Sequence, residues 1–175
     1  MVKFGFLLLI IMLLTSDQAK QDDTSEIKRL AEECTQALIT GQYAKFIELT
    51  HPKIVEMTGG KEKMIAFLGK GMAEMKSDGF NFNSATVSSS IEVVTIDGKK
   101  FAIVPYVLKI TVPGGLLTKN SHLLGVFGPI GVERSGWTFI DVTKKTEEMM
   151  KLLIPEAVGK LKLPASEPPV FEKTK

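Results

Sequence analysis

The spacing of apolar residues changes near residue 80, from the period of an α-helix to that of a β-strand. Before this point, apolar residues recur every three or four positions over residues 26–40, 42–50 and 64–75, which predicts three amphipathic helices. After it, β-branched and aromatic residues dominate, and residues 101–112 form the clearest strand. Helices followed by strands predict an α+β domain, in which the helices cover one face of a mostly antiparallel sheet.

Turn residues divide the two halves into elements. The first helix is predicted to end at Gly41, and His-Pro at residues 51–52 closes the second, because a residue before proline is pushed out of the α region. Asp-Gly at residues 97–98 predicts a tight hairpin, since both central residues of that turn favour positive φ. Residues 80–96 are compatible with one long strand or with two strands and a bulge.

The remaining segments are shorter. Residues 54–57 predict a brief apolar turn, and a last helix that Thr143 caps is predicted to end before Pro155. Between them, the sequence predicts a strand over residues 116–127, a Gly-rich loop over residues 128–136 and a final strand over residues 137–142.

The strand over residues 101–112 indicates which sheet face the helices cover. Lys109 and Thr111 belong on the outside, so the alternate residues face the helices. This inward set is Ala102, Val104, Tyr106, Leu108, Ile110 and Val112. The outer set is apolar in its first half, at Phe101 and Ile103, which allows either a second buried layer or a dimer surface.

The N-terminus predicts export. Lys3 precedes an apolar run over residues 4–14, which is too short to span a bilayer but typical of a signal peptide. We assign residues 1–20 to this leader, with an uncleaved N-terminal anchor as the alternative, and expect a periplasmic or secreted protein without a membrane span in the mature chain. No Cys follows the run, so a lipid anchor has no acceptor. Residues 21–163 are then one domain, and residues 164–175 are a Pro-rich charged tail.

Composition excludes several classes of protein. One Cys and two His rule out a disulfide framework and a Cys/His zinc cluster. A net charge of +2 in 175 residues is too small to indicate a nucleic-acid partner. No cofactor and no metal site are predicted. Cys34 shares the apolar face of the first helix, so we expect a buried, inert thiol rather than a nucleophile.

Three local strings and the order of elements resemble a known superfamily. Residues 50–53 read Thr-His-Pro-Lys, residues 59–62 read Gly-Gly-Lys-Glu, and residues 135–141 read Ser-Gly-Trp-Thr-Phe-Ile-Asp. These features resemble the nuclear-transport-factor-two-like (SnoaL/ketosteroid isomerase-like) cone-fold superfamily, in particular its uncharacterised exported bacterial members. The resemblance covers about residues 26–155. It implies helices packed in the concave face of a curved sheet, a short C-terminal helix, a pocket at the open end, and frequent dimerisation.

The resemblance also suggests where catalytic groups would lie. Ketosteroid isomerases combine an Asp base with a Tyr and a protonated Asp that bind the oxyanion. Here Tyr106 has the inward parity of its strand and Tyr43 is expected to reach the pocket from the helices, but residues 80–96 contain no Asp and residues 101–112 no acid at all. The carboxylate set is not recognisable, so the catalytic candidates are His51, His122 and Tyr106.

The candidate side chains have structural interpretations as well. The His51 ring is expected to bond to a free backbone group at the helix junction, in preference to acting as a base. His122 shares parity with Leu124 and Val126, which predicts an inward-facing histidine bonded within the core. Trp137 and Asp141 share one face of the last strand, where packing is favoured over a pocket lining.

Two functions remain, and they belong to different classes. The favoured one is an exported non-catalytic module that binds an apolar small molecule or a protein partner, as a homodimer. The alternative is a lyase or isomerase in which His51 or His122 is the base and Tyr106 donates a hydrogen bond to a developing enolate. The residues expected to contact a ligand are Tyr43, His51, Tyr106, His122, Trp137 and Asp141.

Overall fold

A computed structural model describes residues 23–130, 134–142, 147–165 and 167–173. Within them the α+β class is confirmed, with a strongly curled antiparallel sheet. Residues 1–20, predicted to be a signal peptide, and Thr143, predicted to cap the last helix, lie outside the described residues. None of the helices in the described part of the chain is both long and apolar enough to cross a bilayer.

Helices form the first part of the described chain and strands most of the rest. The helices are α1 over residues 23–39, α2 over Tyr43–Leu49, α3 over Pro52–Met57 and α4 over Lys61–Ser77. The strands are β1 over Asn81–Val87, β2 over Glu92–Ile96, β3 over Lys99–Val112, β4 over Gly115–Ile130, β5 over Arg134–Asp141 and β6 over Val170–Lys173. Between β5 and β6 lie α5 over Glu147–Leu153 and a 3₁₀ turn over Pro155–Ala157.

Proline and glycine explain two of the element boundaries. Residues 54–57, expected as a brief turn, belong to helix α3 because Pro52 sits at its first position, where a missing N–H costs nothing. The predicted hairpin at residues 97–98 is confirmed: Asp97 has φ of 50° and Gly98 has φ of 79°, so both residues occupy the left-handed region.

Two strands and a bulge occupy residues 80–96. Strands β1 and β2 lie end to end along β3, β1 against residues 106–111 and β2 against residues 99–103. The break faces Pro105, whose carbonyl accepts the Ser88 N–H at 2.9 Å but whose ring nitrogen has no hydrogen to donate. A continuous strand would therefore lose a ladder bond at this point, and the neighbouring chain leaves the sheet instead.

The predicted Gly-rich loop over residues 128–136 is wrong. Strand β4 continues to Ile130 and β5 begins at Arg134, with Gly128 paired to Gly136. A Cβ added to Gly136 would lie 2.8 Å from the Ile130 side chain, so this glycine makes room for an apolar neighbour within a ladder. Glycine here serves close packing between strands rather than a turn.

The sheet is covered on both faces. Ala102, Val104 and Tyr106 belong to one buried cluster with Ile27 and Ala31 of α1, as the alternation along β3 predicts. Lys109 and Thr111 are exposed, also as predicted.

The opposite sheet face is covered by the end of the chain. Phe101 is fully buried in a second cluster with Leu153 and Ile154. Of the two alternatives for the outer apolar residues, the structure selects a second buried layer at this end of the sheet, and the C-terminal segment forms it.

Strand β6 lies within the predicted tail. Val170–Lys173 pairs antiparallel with residues 115–118 of β4, and all four β6 residues are exposed. The Pro-rich composition of residues 164–175 gives no indication of a strand, because pairing at a sheet edge depends on the partner strand rather than on local periodicity.

Candidate functional site

An apolar cavity of about 170 Å³ lies between the helices and the sheet. It is lined chiefly by aliphatic and aromatic side chains from both halves of the chain. The helices contribute Leu38 and Ile39 of α1, Phe46 of α2 and Met64 of α4, and the strands contribute Leu123 and Phe139. The helical part of the sequence therefore forms one wall of the cavity, and the strands that follow it form the other wall.

The junction between α2 and α3 is fastened to the sheet beside this cavity. Thr50 forms a bridge with Phe139 of β5, and the His51 N–H donates to the Phe139 carbonyl at 3.0 Å. This attachment places Thr50 and Ile54, on either side of His51, in the cavity wall.

Two threonines in the cavity wall already donate their hydroxyl hydrogens to backbone carbonyl groups. Thr35 Oγ1 donates to the Ala31 carbonyl at 3.0 Å, and Thr50 Oγ1 donates to the Phe46 carbonyl at 2.9 Å. The first bond returns to α1, which carries Thr35, and the second returns to α2, which ends just before Thr50, so both hydroxyl donors are satisfied and the oxygen lone pairs remain as acceptors.

Cys34 also lines the cavity, and the prediction of a buried, inert thiol is confirmed. The residue is 2% exposed, and burial raises the pKa of its thiol to about 12. The thiolate, which is the nucleophilic form, is therefore almost absent at neutral pH. Cys34 contributes apolar volume to the wall and no covalent chemistry.

Two of the six predicted ligand contacts line this cavity. Tyr106 of β3 pairs with Ser121, and Asp141 of β5 pairs with Leu123, which places both side chains on the sheet face that α1 covers. Tyr106 is buried, whereas Asp141 is exposed at the end of its strand. The cavity therefore has a phenol within its wall and a carboxylate at its solvent side.

His122 does not join them, and the prediction that it faces the helices is wrong. It does share parity with Leu124 and Val126, but those residues pack in the cluster with α5 on the opposite sheet face. Its partner on β3 is Pro105, the neighbour of Tyr106, so successive side chains point to opposite faces. His122 and Tyr106 therefore cannot both contact one substrate in this cavity.

His51 is held by its backbone rather than its ring. No side-chain hydrogen bond caps α3, and the buried Nδ1 atom has no partner among the described residues, so the predicted ring-to-backbone bond is wrong. Burial, and then the nearby Lys53, lower the pKa of the imidazole. His51 is half-buried and is not among the residues that line the cavity.

Tyr43 and Trp137 are not among the residues that line the cavity. The Tyr43 ring packs near Gly69 of α4, where an added Cβ would be 3.6 Å from it. Trp137 is 1% exposed and meets Phe127 edge-to-face at a ring-centroid distance of 5.4 Å. For Trp137 the packing interpretation therefore agrees with its burial.

A second cavity, of about 340 Å³, is polar and lies beside Trp137. Glu33 on its wall accepts from Lys45 at 2.7 Å and from Arg29 at 3.1 Å, and the Lys45 contact lowers the pKa of the carboxyl. These charged side chains pair with one another at the surface, whereas the buried Nε1 of Trp137 has no hydrogen-bond partner among the described residues.

Several lining residues were absent from the sequence prediction. Leu38 stands one turn after Cys34 on the same helical face, and Phe46 lies on the predicted stripe of α2, so both could have been found from periodicity. Phe82 could not be identified from periodicity, because a register shift between Phe82 and Ser84 interrupts the alternation of side chains along β1.

Within the described residues, no three His, Cys, Asp or Glu side chains gather closely enough to hold a metal ion. Comparisons of the chain with protein-family models, with curated proteins and with solved structures find no match. The chemistry of the site therefore has to be inferred from its own lining.

Proposed function

We propose that the protein is an exported, non-catalytic module that binds a small apolar molecule in the cavity between its helices and its sheet. The observation that carries this proposal is the lining, in which apolar side chains predominate and the polar groups are two internally bonded threonines, a protonated thiol, Tyr106 and Asp141. A largely apolar recess with few polar groups is the usual form of a small-molecule site.

A cone fold would explain how such a recess arises. The sheet is strongly curled, and α1 shares a buried cluster with one of its faces. In the proposed fold this face is concave, the helices fill most of it, and the remaining space is the cavity. Export through a leader over residues 1–20 and assembly as a homodimer belong to the same proposal, and native mass spectrometry of the purified protein measures both the mature mass and the number of copies.

Filling the cavity should abolish binding without unfolding the protein. Ala85 lines the cavity from β1 and is 7% exposed, so Ala85→Leu adds three carbon atoms inside it. For the unchanged protein, toluene at tenfold its Kd should stabilise the folded state by about 1.4 kcal/mol, which raises Tm by roughly 3–6 °C. The Ala85→Leu variant should unfold cooperatively but show no rise.

The matched control is Ala66→Leu, at an exposed position of α4 outside the cavity lining. It should respond to toluene like the unchanged protein. If overpacking unfolds Ala85→Leu, then Leu108→Phe fills the same recess from β3. A toluene response that survives cavity filling, or that never occurs in the unchanged protein, contradicts the proposal.

One observation favours a second candidate, a lyase or isomerase. Tyr106 and Asp141 line the same cavity, and a hydroxyl donor with a carboxylate base is a pair suited to enolisation. Deuterium exchange at the α-carbon of cyclohexanone, followed by NMR, distinguishes the two functions. The binding module gives no exchange above buffer, whereas an enzyme of this type gives exchange that Asp141→Asn and Tyr106→Phe each abolish.

A further inference from the structure

The polar cavity beside Trp137 borders a buried hydrogen-bond donor that the fold leaves unused. Trp137 is 1% exposed, and its Nε1 atom has no partner among the described residues. The indole nitrogen carries one hydrogen and can only donate. A buried N–H without an acceptor is rare in native proteins, because it loses its bonds to water and gains none in return. An acceptor atom supplied by a bound molecule would remove this cost.

The Nε1 atom lies on the cavity side of the indole. The Cε3 atom would lie 3.3 Å from a Cβ added to Gly125, so the edge of the ring that carries Cε3 faces the middle of β4. Cε3 and Nε1 belong to opposite long edges of an indole, which places Nε1 on the edge away from Gly125. Trp137 lines the polar cavity whereas Gly125 does not, so the edge that borders this cavity is the one that carries Nε1.

The polar cavity has an apolar inner part. Its volume of about 340 Å³ is in the range of small-molecule sites. Trp137 is the only buried residue of the described lining and therefore marks the inner end, and the half-buried apolar side chains beside it are Leu30, Leu49 and Ile130. Because Nε1 is enclosed, an acceptor bonds to it only after one of these side chains changes rotamer, a motion that takes nanoseconds or less in side chains with room to move.

The charged side chains form the rim of the polar cavity. Glu33 pairs with both basic residues of the described lining, Arg29 and Lys45. The other polar side chains of the described rim are exposed and can bond to water: Glu26, Glu48 and Ser135. Acids outnumber bases here, so the rim has no surplus of positive charge for an anion. The unmet requirement is that of the single buried donor.

We propose that the polar cavity is a second small-molecule site, for an uncharged two-ring molecule whose carbonyl oxygen accepts a hydrogen bond from Trp137 Nε1. Ketones, esters and amides with an apolar body have this chemistry. The apolar body contacts Leu30, Leu49 and Ile130, and the oxygen lies at the inner end. This inference goes beyond the function proposed for the apolar cavity, because the two cavities share no lining residue.

Benzophenone and 1,1-diphenylethylene are matched probes, since they have nearly the same shape and differ in the replacement of the carbonyl oxygen by CH₂. Two rings are too large for the apolar cavity of about 170 Å³, because a cavity of roughly 150 Å³ holds one benzene. The chain contains one Trp, so its NMR spectrum has one indole N–H signal. Benzophenone should move this proton signal downfield, as a hydrogen bond to oxygen does, and 1,1-diphenylethylene should not.

Trp137→Phe removes the donor and keeps an aromatic ring. The ratio of benzophenone affinity to 1,1-diphenylethylene affinity, measured by calorimetry, should fall about fivefold or more in this variant. The different hydrophobicities of the two probes cancel when this ratio is compared between proteins. Ala66→Leu, at an exposed position of α4 outside both cavities, should leave the ratio unchanged.

Three results would overturn this second site: no binding of benzophenone, binding that leaves the indole signal in place, or an equal affinity ratio in Trp137→Phe. If Trp137→Phe does not fold, the indole signal of the unchanged protein decides. None of these results affects the apolar cavity, which the response to toluene tests separately.

Discussion

At the scale of single residues, His51 shows how the surroundings of a side chain decide its protonation. Its pKa is lowered from the ordinary value of 6.5, first by burial and then by Lys53, while Glu156 and Glu56 act in the opposite direction. The folded protein therefore favours the neutral ring more strongly than the unfolded chain does. Below pH 6.5 the unfolded chain binds more protons, so the stabilisation is complete above this pH and is lost as the pH falls below it.

The corresponding measurement is the free energy of unfolding between pH 7.5 and about 5. We expect it to decrease as the pH falls through 6.5. His51→Gln should flatten this part of the profile, and His122→Gln, which leaves His51 in place, should retain it. Glu33 and Glu156, whose pKa values are lowered, contribute a separate loss only below 4.5. If the free energy of unfolding of His51→Gln fell with pH as steeply as that of the unchanged protein, other titrating groups would be responsible for the pH dependence.

At the scale of elements, the docking of β6 depends on one glycine. Gly115 pairs with Lys173, and a Cβ at position 115 would overlap the Glu172 carbonyl oxygen and lie 2.6 Å from the Phe171 ring. The overlap with the carbonyl is with backbone, which cannot rotate away as a side chain can. Since all four residues of β6 are exposed, little buried apolar area holds the strand in place.

Gly115→Ala should therefore detach β6 and leave the rest of the sheet intact. Hydrogen exchange followed by mass spectrometry should show fast exchange over residues 167–173 and unchanged protection in β3, with Tm lowered by no more than a few degrees. Gly71→Ala is the matched control, because a Cβ there meets nothing within 4 Å. Protection of β6 that persists in Gly115→Ala would show that the strand can dock by another register.

Structural features were predictable from the sequence where the residues of one short segment determine them. The Asp97–Gly98 turn, the inward parity of β3 and the buried Cys34 all follow from local pattern and were correct. The break between β1 and β2 was not predictable in this way, because it faces Pro105 on a different strand.

The candidate site was predictable only in part for the same reason. His122 was assigned the correct parity, but the sequence could not show that the C-terminal segment covers the face that carries this parity. Tyr106 and Asp141 were identified, yet the elements that complete the cavity wall, α3 and the start of α4, meet them only through long-range packing. Contacts between distant segments therefore limited the prediction more than local structure did.

At the scale of the whole molecule, the sheet separates two cores, and each is sealed by a different end of the chain. One contains α1 and adjoins the cavity, and the other contains Phe101, Leu124 and Ile140 under Leu153 and Ile154. The second core shares strands β3, β4 and β5 with the first, and Ile54 of α3, which lines the cavity, also packs against the second core. Because side chains of both cores alternate along the same strands, loss of either layer should loosen the other.

Truncation tests this dependence. A chain that ends at residue 142 exposes three fully buried side chains, Phe101, Leu124 and Ile140, and burial of each contributes about 1.5–3 kcal/mol. That sum approaches the whole stability of an ordinary domain, so this chain should bind a dye specific for exposed apolar surface and lose its cooperative unfolding transition. A chain that ends at residue 163 loses only exposed β6 and its linker, and should unfold cooperatively close to the original Tm. Cooperative unfolding of the shorter chain would mean that the helix side of the sheet folds without its second layer.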